Sequence, residues 1–205
     1  LVGSEMCIRD RDNYDSFVYN LASYFEELGQ CVIVKQPNEL KTQDLLNENI
    51  EGIILSPGPG HPSCSKTNLE IIDKCKDKKP ILGVCLGHQA IGFYFGATIK
   101  KGKRPMHGKI TTISSVGLGL FQDIPYDFKV TRYHSLIVDH NNLPSCLSAT
   151  AFADDGVLMA ISHKQYPIYG IQFHPEAVLT EHGYDLIENY IKLCREWRKD
   201  HERDY

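Results

Sequence analysis

Cys85 stands between Gly83 and Gly87 in the run Pro80-Ile81-Leu82-Gly83-Val84-Cys85-Leu86-Gly87-His88-Gln89-Ala90-Ile91-Gly92. A thiol two residues from a glycine on either side has the G-x-nucleophile-x-G spacing of a nucleophile elbow, with sulfur in place of a serine oxygen. The spacing is steric in origin: a sharp strand-to-helix turn strains the nucleophile's backbone, and neighbours without Cβ let the chain pass close by. Such a thiol also sits at a helix N-terminus, where the positive end of the helix dipole favours the thiolate. A thiol nucleophile needs a base, and the base needs a group to orient it. Ile171-Gln172-Phe173-His174-Pro175-Glu176 offers both, because His174 and Glu176, two apart in extended chain, point to the same side. Ser56-Pro57-Gly58-Pro59-Gly60 is the third candidate. Prolines carry no amide hydrogen, so only the glycines there can donate. The Gly58 N–H, with the N–H of Leu86, would form an oxyanion hole for a tetrahedral intermediate.

Each fragment also has a plainer explanation. Free cysteine is a common core residue, the chain has nine histidines, and a P-G-P-G run makes a rigid turn without any chemistry. The three together point to acyl transfer at a carbonyl, provided that the fold delivers them to one edge of a sheet.

The elements that must do so are legible. Phe17, Val18, Leu21, Tyr24, Phe25 and Leu28 mark a helix from Ser16, capped by Asp15 or Ser16 and closed by Gly29. Cys31–Lys35 and Gly52–Ser56 read as strands, Thr42–Asn47 as a short helix and Leu69–Asp77 as another, before the elbow strand that starts at Pro80. Strands alternating with helices predict parallel βαβ crossovers, with active-site loops at the carboxyl ends of the strands. Beyond Gly96, short strands are expected near Ala97–Lys100, Lys109–Ser114, Lys129–Arg132, Leu147–Phe152, Val157–Ser162 and Ile168–Phe173, as a mixed or antiparallel extension. The last helix runs from Tyr184 to Arg198 on a stripe of Leu186, Ile187, Tyr190, Ile191, Cys194 and Trp197.

Residues 1–11, LVGSEMCIRDR, fit badly. A central parallel strand belongs before Asp12, and Arg9, Asp10 and Arg11 are costly there. They are read as a non-native scar that replaces a strand and are set outside the fold, with one domain over 12–205.

Composition narrows the classes. With 205 residues, 42% hydrophobic and 23% charged, the chain suits one globular domain. Its net charge of -4 argues against nucleic acid, and the sequence has no run of about 20 apolar residues of the kind that crosses a membrane. The cysteines Cys7, Cys31, Cys64, Cys75, Cys85, Cys146 and Cys194 are odd in number and lack C-x-x-C spacing, so reduced thiols in the cytoplasm are expected. No H-x-x-x-H pair or cysteine cluster suggests a metal.

Gly83-Val84-Cys85-Leu86-Gly87-His88-Gln89, Ser56-Pro57-Gly58-Pro59-Gly60 and Phe173-His174-Pro175-Glu176 resemble the signature blocks of class I (triad) glutamine amidotransferases. Asp12-Asn13-Tyr14-Asp15-Ser16-Phe17, Met106-His107-Gly108-Lys109 and Thr131-Arg132-Tyr133-His134-Ser135-Leu136 are similar, more narrowly, to the glutaminase subunits of anthranilate synthase and aminodeoxychorismate synthase. The resemblance covers residues 12 to about 195. It implies a flavodoxin-like α/β fold that hydrolyses L-glutamine and passes ammonia to a chorismate-utilising subunit, for tryptophan or folate synthesis. It implies Cys85 as nucleophile, His174 as base and acid, Glu176 as orienter, and Gly58, Pro59, Gly60, Leu86, Gln89, Ser135 and Leu136 as the glutamine site. No cofactor is expected in this chain, and magnesium is expected on the partner. A stand-alone γ-glutamyl thiol hydrolase and a subunit without catalysis are the alternatives.

Overall fold

Apolar runs become strands and amphipathic stretches become helices in the computed structural model, which describes residues 5–9, 16–36, 42–47 and 49–201. The first half alternates β1 (Glu5–Arg9), α1 (Ser16–Glu27), β2 (Cys31–Lys35), a 3-10 turn at Thr42–Leu46, β3 (Ile50–Leu55), α2 (Lys66–Cys75), β4 (Ile81–Val84) and α3 (Leu86–Tyr94). The second half is mostly strand: β5 (Ile99–Lys101), β6 (Lys109–Ser115), β7 (Asp127–Arg132), β8 (Leu136–Val138), β9 (Leu147–Ala153), β10 (Leu158–His163) and β11 (Ile168–Ile171). Helix α4 (Gly183–His201) closes the chain.

One nine-stranded sheet takes the order β2-β1-β3-β4-β11-β10-β9-β6-β7, and β5 pairs with β8 in a separate ribbon. From β2 to β11 the pairings are parallel, and from β11 to β7 they are antiparallel. This is the flavodoxin-like α/β arrangement with its antiparallel extension, and β11 is the seam between the two halves.

Side-chain alternation along the strands sorts two cores onto the two faces. Ile54, Leu82 and Val84 join Val18, Leu21 and Phe25 of α1 and Leu186, Ile187 and Ile191 of α4. Ile53, Leu55 and Ile81 join Ile71, Ile72 and Cys75 of α2 and Ala90 and Ile91 of α3. Helix α4 is pinned across the sheet by the Tyr190 hydroxyl, which lies 3.0 Å from the Ile53 carbonyl and 2.9 Å from that of Pro80. Helix α1 ends where expected, at Gly29, whose φ of 78° lets the Gln30 N–H turn back to the Phe25 carbonyl at 3.0 Å.

Three expectations need correction. Glu5–Arg9, set outside the fold because of charge, runs parallel between β2 and β3, with Cys7 opposite both Ile33 and Ile53. The ladder is made by main-chain groups, which every residue type but proline supplies in full. Leu136–Val138 was not anticipated as a strand; it pairs with β5 and so earns its conformation from a partner remote in sequence. Strand β11 stops at Ile171 instead of Phe173, because the chain leaves β4 there. The Gln172 N–H reaches Met159 and the His174 N–H reaches Thr131, at 2.8 and 3.1 Å. The Asp12–Asp15 loop and its cap on α1 lie outside the described residues.

Candidate active site

Strand β4 is buried along its length, and Cys85 follows it at φ 52° and ψ −99°, immediately before the first residue of α3. A positive φ at a residue with a Cβ costs about 1–3 kcal/mol and persists only where the surroundings enforce it. Here they do. The Cys85 N–H donates to the Ile171 carbonyl at 2.8 Å, and the Cys85 carbonyl accepts from the Gln89 N–H at 3.1 Å. The flanking glycines are sterically required: a Cβ on Gly83 would lie 2.5 Å from the Gly87 carbonyl carbon and oxygen, and one on Gly87 would lie 2.1 Å from the Leu55 carbonyl oxygen. The second contact brings the first turn of α3 against the carboxyl end of β3. There the chain enters Ser56-Pro57-Gly58-Pro59-Gly60, with Gly58 half-buried, Pro59 and Gly60 exposed, and Gly60 at φ 90°. Leu86 opens α3, so its N–H belongs to the first turn, where helix donors have no carbonyl within the helix.

Parallel pairing of β11 with β4 aligns Ile171 with Val84, so the residues after both strands emerge at one edge. His174 is fixed there by its backbone. Its N–H donates to the Thr131 carbonyl, and its carbonyl accepts from the Thr180 hydroxyl at 2.7 Å. That hydroxyl in turn accepts from the Thr131 N–H at 3.0 Å. The His174 Nδ1 lies 2.7 Å from Glu176 Oε1, with both side chains buried. The Cys85 thiol interacts electrostatically with the ring. Burial alone would push the imidazole's pKa down; the Glu176 carboxylate, its hydrogen bond and the neighbouring Cys85 outweigh it, and the pKa is pushed up to about 10. The edge of the Tyr133 ring packs against His174, with centroids 5.2 Å apart.

Of the remaining expected positions, Gln89 and Leu136 are linked to the same thiol, whereas Ser135 is exposed and turned to Gly102. Gln89 Nε2 donates to the Leu136 carbonyl at 3.0 Å and to Gln172 Oε1 at 3.1 Å, and Gln172 Nε2 approaches Cys85 Sγ at 3.6 Å. The Ser135 carbonyl accepts from the Gly102 N–H at 2.8 Å. Behind Leu136 stands a polar chain that runs from the buried His134 and Arg132 out to the exposed Asp155. His134 Nδ1 lies 3.0 Å from the Leu136 carbonyl, Arg132 Nε donates to His134 Nε2 at 3.1 Å, and Arg132 Nη1 meets Asp155 Oδ2 at 2.9 Å. Burial, then the Arg132 cation, pushes the His134 pKa down to about 4. The ring is therefore neutral at pH 7, and its tautomer follows: Nδ1–H donates to the carbonyl and Nε2 accepts from arginine.

Sequence reasoning missed Gln172 and the support that Thr180, Arg132 and His134 give. Gln172 directly follows the last residue of β11, at the sheet edge where His174 emerges, so a signal for it was present in its place next to the expected base. Thr180 acts across a long sequence separation and left none, whereas Arg132 and His134 stand in the Thr131–Leu136 block of the resemblance, which gave them no role.

Taken together, a strained thiol, a buried imidazole–carboxylate pair and a glycine loop suit nucleophilic attack on an acyl carbon. The family model for glutamine amidotransferase class-I matches residues 11–193. The chain is 46% identical over 185 residues to the anthranilate synthase component 2 of Azospirillum brasilense, covering 90% of this chain and 94% of that protein. It is 44% identical over 180 residues to the aminodeoxychorismate synthase component 2 of Klebsiella aerogenes, covering 88% and 96%. A solved Thermoplasma acidophilum structure, described as part of a GMP synthase, shares the fold at a TM-score of 0.85 and 27% identity, covering 97% of each chain. With a family match over most of its length and an elbow, an imidazole–carboxylate pair and a glycine loop gathered at one sheet edge, the chain belongs to the class I glutamine amidotransferases.

Proposed function

We propose that this chain is the glutaminase subunit of a chorismate-utilising synthase. The observation that carries the reading is the Cys85 thiol, held at φ 52° at the N-cap of α3, on the same sheet edge as an imidazole whose Nδ1 lies 2.7 Å from Glu176 Oε1.

In the proposed reaction the Cys85 sulfur, as thiolate, attacks the side-chain amide carbon of L-glutamine. The developing oxyanion is met by the N–H groups of Leu86 and Gly58. His174 delivers a proton to the amide nitrogen as the C–N bond breaks, ammonia leaves, and a glutamyl thioester remains on Cys85. His174 then takes a proton from water, whose oxygen attacks the thioester carbon; glutamate departs and the sulfur is regenerated. Glu176 keeps the ring oriented and balances its positive charge. Gln89, Ser135, Leu136, Pro59 and Gly60 line the glutamine site. Every group in this scheme is a side chain or backbone N–H, and magnesium, where the synthase uses it, belongs to the partner.

The relatives named component 2 support a partner of the component 1 kind, to which the ammonia passes. Anthranilate is the first product to test and 4-amino-4-deoxychorismate the second, since relatives of both names stand at nearly equal identity, 46% and 44%. The deciding experiment mixes the protein with each candidate chorismate-binding partner, supplies glutamine and chorismate, and identifies the aromatic product. Glutaminase turnover that rises when one of these partners is present and is lost in Cys85→Ala, while free ammonia still supports product, is the expected result. Full turnover without a partner would make the chain a stand-alone hydrolase, and activity retained in Cys85→Ala would refute the nucleophile.

A further inference from the structure

The hydrogen bonds that converge on the Cys85 sulfur have a fixed direction. A backbone carbonyl can only accept, so the Leu136 carbonyl dictates which end of the Gln89 amide faces it. Gln89 Nε2 gives one of its two hydrogens there, at 3.0 Å, and the other to Gln172 Oε1, at 3.1 Å. With its oxygen engaged, Gln172 turns Nε2 to Cys85 Sγ at 3.6 Å. The sulfur is thus an acceptor at the end of a chain whose polarity is set by a main-chain group. Gln172 is 0% exposed, so bulk water does not compete for its amide.

We propose that Gln172 is a positioning residue for the nucleophile: its amide N–H holds the Cys85 sulfur as an acceptor in one rotamer and ties that state to Gln89 and Leu136 of the glutamine pocket. The inference rests on the reading of Cys85 as the nucleophile. A donor bonds a thiolate more strongly than a thiol, because charged acceptors make the stronger hydrogen bonds. The imidazole of His174 interacts electrostatically with Cys85, so the two groups divide the work: the ring moves protons and the amide moves none. Without the amide, the sulfur loses the donor that holds it in place.

The test is the pH dependence of Cys85 alkylation by iodoacetamide in the full chain, mapped by peptide mass, for wild type, Gln172→Met, Gln172→Glu and Gln89→Met. Methionine conserves length and approximate volume while removing the donor. Glutamate keeps an acceptor for Gln89 but turns a second, negatively charged oxygen toward the sulfur. Alkylation of Cys85 at pH 7 is expected to fall about tenfold in Gln172→Met, the loss of one hydrogen bond to a charged group, and further in Gln172→Glu. In both the profile moves toward alkali. Gln89→Met leaves Gln172 in place without its orienting partner and should show a smaller displacement. The exposed thiols Cys31 and Cys64 serve as the internal reference and should not change. In turnover, kcat for glutamine should fall in Gln172→Met with KM little altered. A lowered melting temperature with an unmoved alkylation profile in both methionine variants overturns the proposal and leaves Gln172 a packing residue. A wild-type Cys85 no more reactive than Cys31 and Cys64 overturns the nucleophile assignment itself, and the inference with it.

Discussion

Glu176 Oε1 sits 2.7 Å from His174 Nδ1, and the two side chains are 0% and 3% exposed. In so dry a setting the carboxylate decides the charge of the ring: burial opposes protonation, and the Glu176 charge with the hydrogen bonds overrides it, to a pKa of about 10. Glu176→Gln keeps an oxygen in place but removes the charge that opposes burial most strongly. Glutaminase kcat should fall by about 10⁴-fold, the loss seen when the orienting carboxylate of a triad is removed. Cys85→Ala should cost more. Glutamate release measures both.

The same pair predicts a stability profile. A folded-state pKa above the ordinary 6.5 means that its contribution is complete below about pH 6.5 and is lost as pH rises toward 10. The melting temperature of the wild type should decline across that window, and that of Glu176→Gln should decline less.

Two other buried histidines act in the opposite direction. His88 is pushed down to about 3, chiefly by burial, and His134 to about 4 by burial and Arg132. Between those values and 6.5 the unfolded chain binds protons that the folded chain refuses, so stability falls as pH is lowered from 6.5 to 4. Each such proton contributes roughly 1.4 kcal/mol per pH unit. His134→Gln should flatten the acid limb by about one proton's worth, read from urea midpoints at pH 4.5 and 7.

At the elbow, Gly87→Ala forces a Cβ to within 2.1 Å of the Leu55 carbonyl oxygen, a backbone atom that cannot swing aside. Gly156 provides the control. It has φ 78° and nothing within 4 Å of an added Cβ, so Gly156→Ala carries only the left-handed penalty of about 1–2 kcal/mol. Thermal unfolding should rank Gly87→Ala well below Gly156→Ala, and glutaminase activity should be lost in the first and kept in the second.

Thr180→Val keeps the shape and removes the hydroxyl that joins the His174 carbonyl to the Thr131 N–H. A loss of about 1–3 kcal/mol in stability is expected from the two bonds. As His174 is held less firmly, kcat should drop with KM nearly unchanged.

Much of this could be read before any coordinates. The elbow was legible because its requirement is local: two glycines and a short apolar run state it within five residues. The His174–Glu176 pair was expected from strand alternation, but the strand stops at Ile171 and a turn, with the Ala177 N–H on the His174 carbonyl at 3.3 Å, brings the two side chains together instead. Glu5–Arg9 was misread because charge was weighed without the two neighbouring strands, β2 and β3, that fill its main-chain hydrogen bonds. The strand Leu136–Val138 and the Thr180 clamp escaped notice because each depends on a segment far along the chain, Ile99–Lys101 for one and Thr131 for the other. Sequence patterns report what a residue prefers; they are silent about who will be beside it.

The seam strand β11 has a mechanical consequence. Since β11 is laddered to β4 on one side and to β10 on the other, Cys85 and His174 ride on adjacent rails of a single welded plate. No hinge runs between them, so nothing can switch the site by prising two lobes apart. Any throttle on the chemistry has to act through the loops that border the plate, the Ser56–Gly60 turn and the segments 102–108 and 133–135.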